Sequence, residues 1–319
     1  MRTLLLFWLF VAPGADTLQA MFWNVENFFD WRNDSTTVSD LEFSAAGERH
    51  WTWKRFQAKA NAFAKALFWT EAETGRLPDI VGLEEVENAF VLRQVLQKTA
   101  LRKLDYKYVH FDSPDSRGID VALLYRSSRL ELLDSKPCHL FAADTVMATR
   151  DILLCVFQKD STKFAVLVNH HPSKYGGAAE SEPRRRIAVA RLRFLADSLA
   201  VLGIDRIIAG GDFNDTPDNP VFGLLEPALL PMHLDHFRRG LGTIKYDGKW
   251  DLIDHIYVSP ALAPLARMQI LRIPFLLTRD TVHSGEKPLR TYTGPRHTGG
   301  VSDHLPVLLE VGFSIENNQ

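Results

Sequence analysis

Short apolar runs recur along this chain, and each stops at a cluster of acids, amides or imidazoles. Ile207-Ile208-Ala209-Gly210-Gly211 leads into Asp212-Phe213-Asn214-Asp215-Thr216-Pro217, which reads as a buried strand ending at a forced bend. Ile80-Val81-Gly82-Leu83 leads into Glu84-Glu85, and Phe164–Val168 into Asn169-His170-His171. Ala20–Trp23 opens a strand whose end carries Asn24 and Glu26, two residues apart and so on one face if the strand persists. Asp254-His255 lies in a further strand, and Ser302-Asp303-His304 precedes the last, Val307–Val311. Between these runs the period changes. Phe56, Ala60, Phe63, Ala64, Leu67 and Phe68 recur at helical spacing, predicting an amphipathic helix over 53–72 whose aromatics are core. Val91, Leu92, Val95 and Leu96 mark a second helix, opened by Glu87-Asn88. Ala188, Leu192, Leu195 and Leu199 mark a third, behind Arg184-Arg185-Arg186. Residues 31–52 and 277–300 read as loops. Alternating strands and helices give the α/β class. The pattern leaves open whether the sheets are parallel, mixed or stacked.

Length and composition narrow this. No linker, repeat or charge block divides the 319 residues, so one domain over 16–319 is expected. A hydrophobic content of 46% supplies a large core, and the net charge of −2 gives no bulk electrostatic capture of nucleic acid. Cys138 and Cys155 fit no metal or redox motif; they read as buried thiols, a single disulfide being the alternative in an oxidising compartment. Met1-Arg2, the apolar run Leu4–Ala12 and the small residues at 13–15 have the layout of a secretory signal peptide, predicting a secreted or periplasmic protein. No later stretch is long and apolar enough to span a membrane.

Strand ends along one sheet edge are where α/β proteins build their sites. Gathered there, these clusters would form a pocket of carboxylates, amides and imidazoles. Oxygen donors without thiolates suit a hard cation such as Mg²⁺, Mn²⁺ or Ca²⁺. Nearby histidines suit an anionic transition state or a leaving group that must be protonated.

The set Trp23-Asn24-Val25-Glu26, Gly82-Leu83-Glu84-Glu85-Val86, Asn169-His170, Gly211-Asp212-Phe213-Asn214, Ile253-Asp254-His255-Ile256 and Ser302-Asp303-His304-Leu305-Pro306 resembles, in order and over nearly the whole chain, the motifs of the endonuclease/exonuclease/phosphatase superfamily, in its secreted bacterial subgroup. That resemblance implies a DNase I-like four-layer α/β/β/α sandwich. It implies that Asn24, Glu26, Glu85 and Asp303 surround a divalent metal. Asp212 would deprotonate or orient the attacking water, Asn214 would fix water and phosphate, His304 paired to Asp254 would contact the scissile phosphate, and His170 would donate to a non-bridging oxygen. Arg117, Lys174 and Arg184 are further candidates for holding substrate phosphate. Glu84 stands where many members carry Gln, adding a charge that would raise a neighbouring pKa or help bind a second ion. Asp215 reads as a turn cap, Asp120 as buried and paired, and His233, His236 and His255 as structural or surface residues. The expected function is metal-dependent phosphodiester hydrolysis by a monomeric nuclease. The alternatives are a phosphatase or phospholipase C-like enzyme acting on inositol phosphates or sphingomyelin, and an inactive binding module.

Overall fold

The computed structural model describes residues 17–34, 37–173 and 177–313. The expected signal segment over 1–15 and Lys174 lie outside the described residues. Twelve strands form the two main sheets: β1 (Thr17–Phe28), β2 (Ile80–Val86), β3 (Tyr106–His110), β4 (Asp120–Arg126), β5 (Glu131–Cys138), β6 (Ile152–Lys159), β7 (Thr162–His170), β8 (Ile207–Asp212), β9 (Leu230–Pro231), β10 (Asp254–Val258), β11 (Ala266–Ile270) and β12 (Val307–Gly312). The first sheet runs β11-β12-β1-β2-β4-β3 and the second β9-β10-β8-β7-β6-β5. Both are mixed. Each holds one parallel pair, β1 with β2 and β7 with β8, and every other ladder is antiparallel. A long helix bridges each parallel pair in sequence, as a parallel connection requires: α1 (Trp53–Thr74) between β1 and β2, and α3 (Ala178–Val201) between β7 and β8. The shorter α2 (Ala89–Lys98) follows β2, its first turn capped by the Asn88 side chain accepting from the Val91 amide.

Strand parity builds the layers. Along β1, Leu18, Ala20 and Phe22 face one apolar cluster, while Met21, Trp23 and Val25 face another. The first cluster also takes Val166, Val168, Ile208 and Ile256 from the second sheet, so it lies between the sheets. The other packs the outer face of the first sheet against Phe56, Phe63 and Leu67 of α1 and Val91 and Val95 of α2. A third packs Leu167, Ala209 and Tyr257 against Ala188, Leu192 and Leu199 of α3. Three apolar layers separate four layers of structure, and the chain is the DNase I-like α/β/β/α sandwich. Central strands buried on both faces read as continuous apolar runs, which is why their sequences do not alternate.

The two sheets approach closely at one ring. A Cβ on Gly82 of β2 would lie 2.5 Å from Cδ1 of Phe22, and one on Gly210 of β8 would lie 2.5 Å from Cδ2 of the same ring. Cys138 and Cys155 are buried and free. Among the described residues no helix is long and apolar enough to cross a membrane.

Candidate active site

The parity that buries Phe22, Val168, Ile208 and Ile256 between the sheets continues to the strand ends. It points Asn24, Glu84, His170, Asp212 and Asp254 toward the same space, where apolar side chains give way to polar ones. Their neighbours Asn169, Phe213 and His255 fall on the opposite parity. Asn169 donates to the Leu167 and Gly210 carbonyls, and His255 stacks on Phe213 and His233. Period two thus separates chemistry from packing within each motif.

The backbone bends where these side chains must converge. Glu26, Asn27, Glu85 and Asn214 all have positive φ (46°, 49°, 65° and 53°), a strained conformation for residues with a Cβ. Gly211 has φ 131°, and a Cβ there would sit 2.1 Å from the Asn169 carbonyl oxygen. The segment holding His304 is tied to the end of β1: Ser302 Oγ donates to the Asn24 carbonyl (2.6 Å), accepts from the His304 amide (2.9 Å), and Trp23 Nε1 donates to the His304 carbonyl (3.0 Å).

Asp212 lies at the centre. Its Oδ2 accepts from Asn24 Nδ2 (3.1 Å) and Asn214 Nδ2 (3.2 Å), and its Oδ1 from the Asn214 amide (2.8 Å). His170 Nε2 is 3.6 Å and His304 Nε2 4.0 Å from Asp212 Oδ2. Burial raises the Asp212 carboxyl, His304 pulls it down and Asp254 pushes it up, leaving it at about 7. His304 Nδ1 faces both oxygens of Asp254 (2.9 and 3.1 Å). Burial works against the charged ring, but Asp254, Asp212 and Asp303 outweigh it and hold His304 protonated well above its ordinary range. His170 is held neutral by burial first, then by Arg150, Arg117 and His304.

A second group of acids adjoins this centre. The Glu26 carboxylate accepts from the Thr291 amide (2.8 Å) and from Arg290 (3.3 Å), and Arg290 Nη2 also reaches Asp303 (3.0 Å). Glu85 accepts from the Asn27 amide (2.7 Å) and lies 4.0 Å from both His170 and Arg117. Burial and then Asp303 raise Glu26 to about 7 despite Arg290 and Lys59. The Arg290 guanidinium thus bridges two carboxylates. Glu26, Glu85, Asp303 and the Asn24 side-chain oxygen are an oxygen-only set of the kind a hard divalent cation would take. Among the described residues, three donors converge within 4.8 Å in a different set, His110, Asp112 and Asp120. There Asp120 is already bonded to His110 (3.1 Å) and to Ser113.

The remaining candidates separate. Arg117 stands at the rim beside Glu85 and Asp115. Arg184 is exposed and donates to the Ala148 carbonyl (3.3 Å). The triplet's inward member is Arg185, buried against Asp215 (3.1 Å), so Asp215 serves an ion pair as well as its turn. Three supporting residues carried no motif. Lys59, buried on α1, donates to the Glu26 carbonyl and to Thr291 Oγ1. Arg150 joins Asp115 (3.0 Å) to the His171 carbonyl (2.6 Å). Arg290 is one of several basic residues between 277 and 300, with Arg279, Lys287 and Arg296. A cation inside an otherwise apolar helical stripe was the one available signal for Lys59.

The chain is 26% identical over 202 residues to Protein angel of Drosophila melanogaster, which covers 57% of this chain and 54% of that protein. The chain therefore spans about half the length of that curated relative. The human nocturnin catalytic domain, solved with a bound sulfate anion, superposes with a TM-score of 0.59 at 18% identity over 94% of this chain and 95% of that one. D. rerio TDP2 in complex with a single-strand DNA product gives 0.55 at 16% over 93% and 99%. These two likenesses are of fold. A model of the family described as Endonuclease/Exonuclease/phosphatase matches residues 19–312, and the chain belongs to that family of phosphoester hydrolases.

Proposed function

We propose that this protein hydrolyses phosphodiesters, with nucleic acid as the substrate class. The observation that supports it is the setting of Asp212, oriented by two side-chain amides and a backbone N–H and facing a protonated His304. An acid at about 7 accepts a proton from water at neutral pH without being silent as a base. Asn24 and Asn214 fix which oxygens of Asp212 stay open. His304, locked by Asp254 at Nδ1, presents Nε2–H and its charge to a phosphate oxygen whose negative charge grows. Neutral His170 offers a hydrogen bond without competing for that charge. A divalent ion held by Glu26, Glu85, Asp303 and Asn24 would supply charge neutralisation at the phosphate. Arg117, at the rim by Glu85, is placed to meet an adjoining phosphate. Asp212 and His304 with their partners are intact, which speaks against an inactive binding module.

The test is a substrate panel of plasmid DNA, RNA, inositol polyphosphates and sphingomyelin with Mg²⁺, Mn²⁺ or Ca²⁺, each with and without excess chelator. Cleavage of DNA or RNA is expected, lost with chelator and restored by Mg²⁺ or Mn²⁺. Phosphate release from inositol polyphosphates with nucleic acids left intact would replace the nuclease reading by a phosphatase.

A further inference from the structure

We propose that a cavity beside Glu26, walled by Arg49 and Arg290, receives a second phosphate of the substrate, one linkage away from the phosphate being hydrolysed. This rests on the phosphodiesterase reading and specifies its substrate as a diester carrying a neighbouring phosphate. The cavity measures about 150 Å³ and is lined by Glu26, Asn27, Arg49, Arg290, Thr291 and Tyr292 among others. That is below the ~300 Å³ at which pockets enclose a whole small molecule, so it suits one group of a larger substrate. Glu26 lines it and is also a candidate metal ligand, so the cavity adjoins the site.

The charges explain what group it takes. Arg290 is half exposed and its only ion-pair partners among the described residues are Glu26 and Asp303. A divalent ion needs the oxygens of those same two carboxylates, so guanidinium and metal compete for them. With the carboxylates committed to the metal, Arg290 keeps its charge and its donors, since arginine does not deprotonate. Those donors border a cavity that already holds a second guanidinium. Arg49 is fixed there by Glu42 (2.7 Å), by the Gly294 carbonyl (2.6 Å) and by the rings of Phe43 and Tyr292 (5.8 and 5.3 Å). Glu42 offsets part of the Arg49 charge, which leaves Arg290 as the dominant cation. Two guanidiniums around a small space match a tetrahedral oxyanion, which accepts forked pairs. Arg290 would therefore engage substrate only in the metal-loaded enzyme.

The experiment compares the dinucleotide dTpdT with the same dinucleotide carrying an added terminal phosphate at either end. kcat/KM is measured with Mg²⁺, Kd with Ca²⁺ by fluorescence anisotropy, and Mn²⁺ affinity by electron paramagnetic resonance without substrate. The wild type should favour one phosphorylated form by at least about 10-fold, the scale of a charged hydrogen-bonded contact. In Arg290→Gln that preference should fall toward one, while Mn²⁺ binds more tightly because its competitor is gone. Arg49→Gln should reduce the preference and leave Mn²⁺ affinity unchanged; thermal melts verify that both variants are folded. A preference that survives in Arg290→Gln, or Mn²⁺ binding that weakens there, overturns the proposal. A wild type that leaves plasmid DNA and RNA intact overturns the phosphodiesterase reading, and the Kd ratio then still decides the cavity.

Discussion

Glu84 is fully buried beneath the cluster, and neither of its carboxyl oxygens has a hydrogen-bond partner among the described residues. Burial, then Asp254 and Asp212, raise it well above the ordinary carboxylic range, so it sits as a neutral acid. An amide is isosteric with that neutral acid. Glu84→Gln should accordingly keep the metal stoichiometry and leave thermal stability within about 1 kcal/mol, the scale of one exchanged hydrogen bond. Titration calorimetry with Mn²⁺ and a melt check both, and a lost metal equivalent would restore the second-ion role. Asp212 differs because its oxygens are partnered and its acid lies near neutrality. Asp212→Asn should lose at least ~10²-fold in kcat with the fold retained, since an amide takes no proton from water. A folded variant with near-normal turnover would place the base elsewhere.

At the level of elements, the strands ending in polar clusters and the three long helices were legible because each carries its own period. α1 runs Trp53–Thr74 where the spacing indicated 53–72, and the last strand runs Val307–Gly312. Two things were not legible. Stacking of the sheets leaves no trace in strands buried on both faces, so the pattern could not distinguish one sheet from two. The cations Lys59 and Arg150 act through distant backbone carbonyls, to which no local spacing points. Contact between the sheets also gives Gly210 a purpose its sequence context hid, since Phe22 fills the space a methyl would need, and the same ring lies over Gly82 on the neighbouring strand. Gly210→Ala should cost ~1–3 kcal/mol by overpacking, read from the denaturant midpoint. Gly223→Ala, where a Cβ meets nothing within 4 Å, is the matched control. Equal losses at both positions would mean that glycine's backbone freedom, and not the approach of the sheets, sets the cost.

On the scale of the whole molecule, buried imidazoles supply one part of the response to acid. His171 and His233 are fully enclosed and pushed down to about 3, by burial first and then by Arg150 and Arg185 for His171. For His233 the Ile256 carbonyl contact opposes burial, and His236 adds to the depression. His255, stacked 4.1 Å from His233, is also depressed well below its ordinary value, again by burial before His233 and His171. An unfolded histidine titrates near ~6.5. Between that pH and the depressed folded value the unfolded chain binds more protons, so stability rises with pH across the window and falls as acid is added. At pH ~5 each such histidine costs about 2 kcal/mol relative to neutrality. Asp212 and Glu26, both raised to about 7, act with the opposite sign, because the folded state binds the extra protons and their contribution is lost as pH rises. The wild-type curve mixes these terms, so a difference between proteins is the informative quantity. His233→Phe keeps a ring against His255 and Tyr257 but removes one titration. Its loss of stability between pH 7 and 5 should be smaller than the wild type's by about 2 kcal/mol in denaturant titrations. A stability difference between the two proteins that stays constant over that interval would show that His233 does not carry the acid sensitivity.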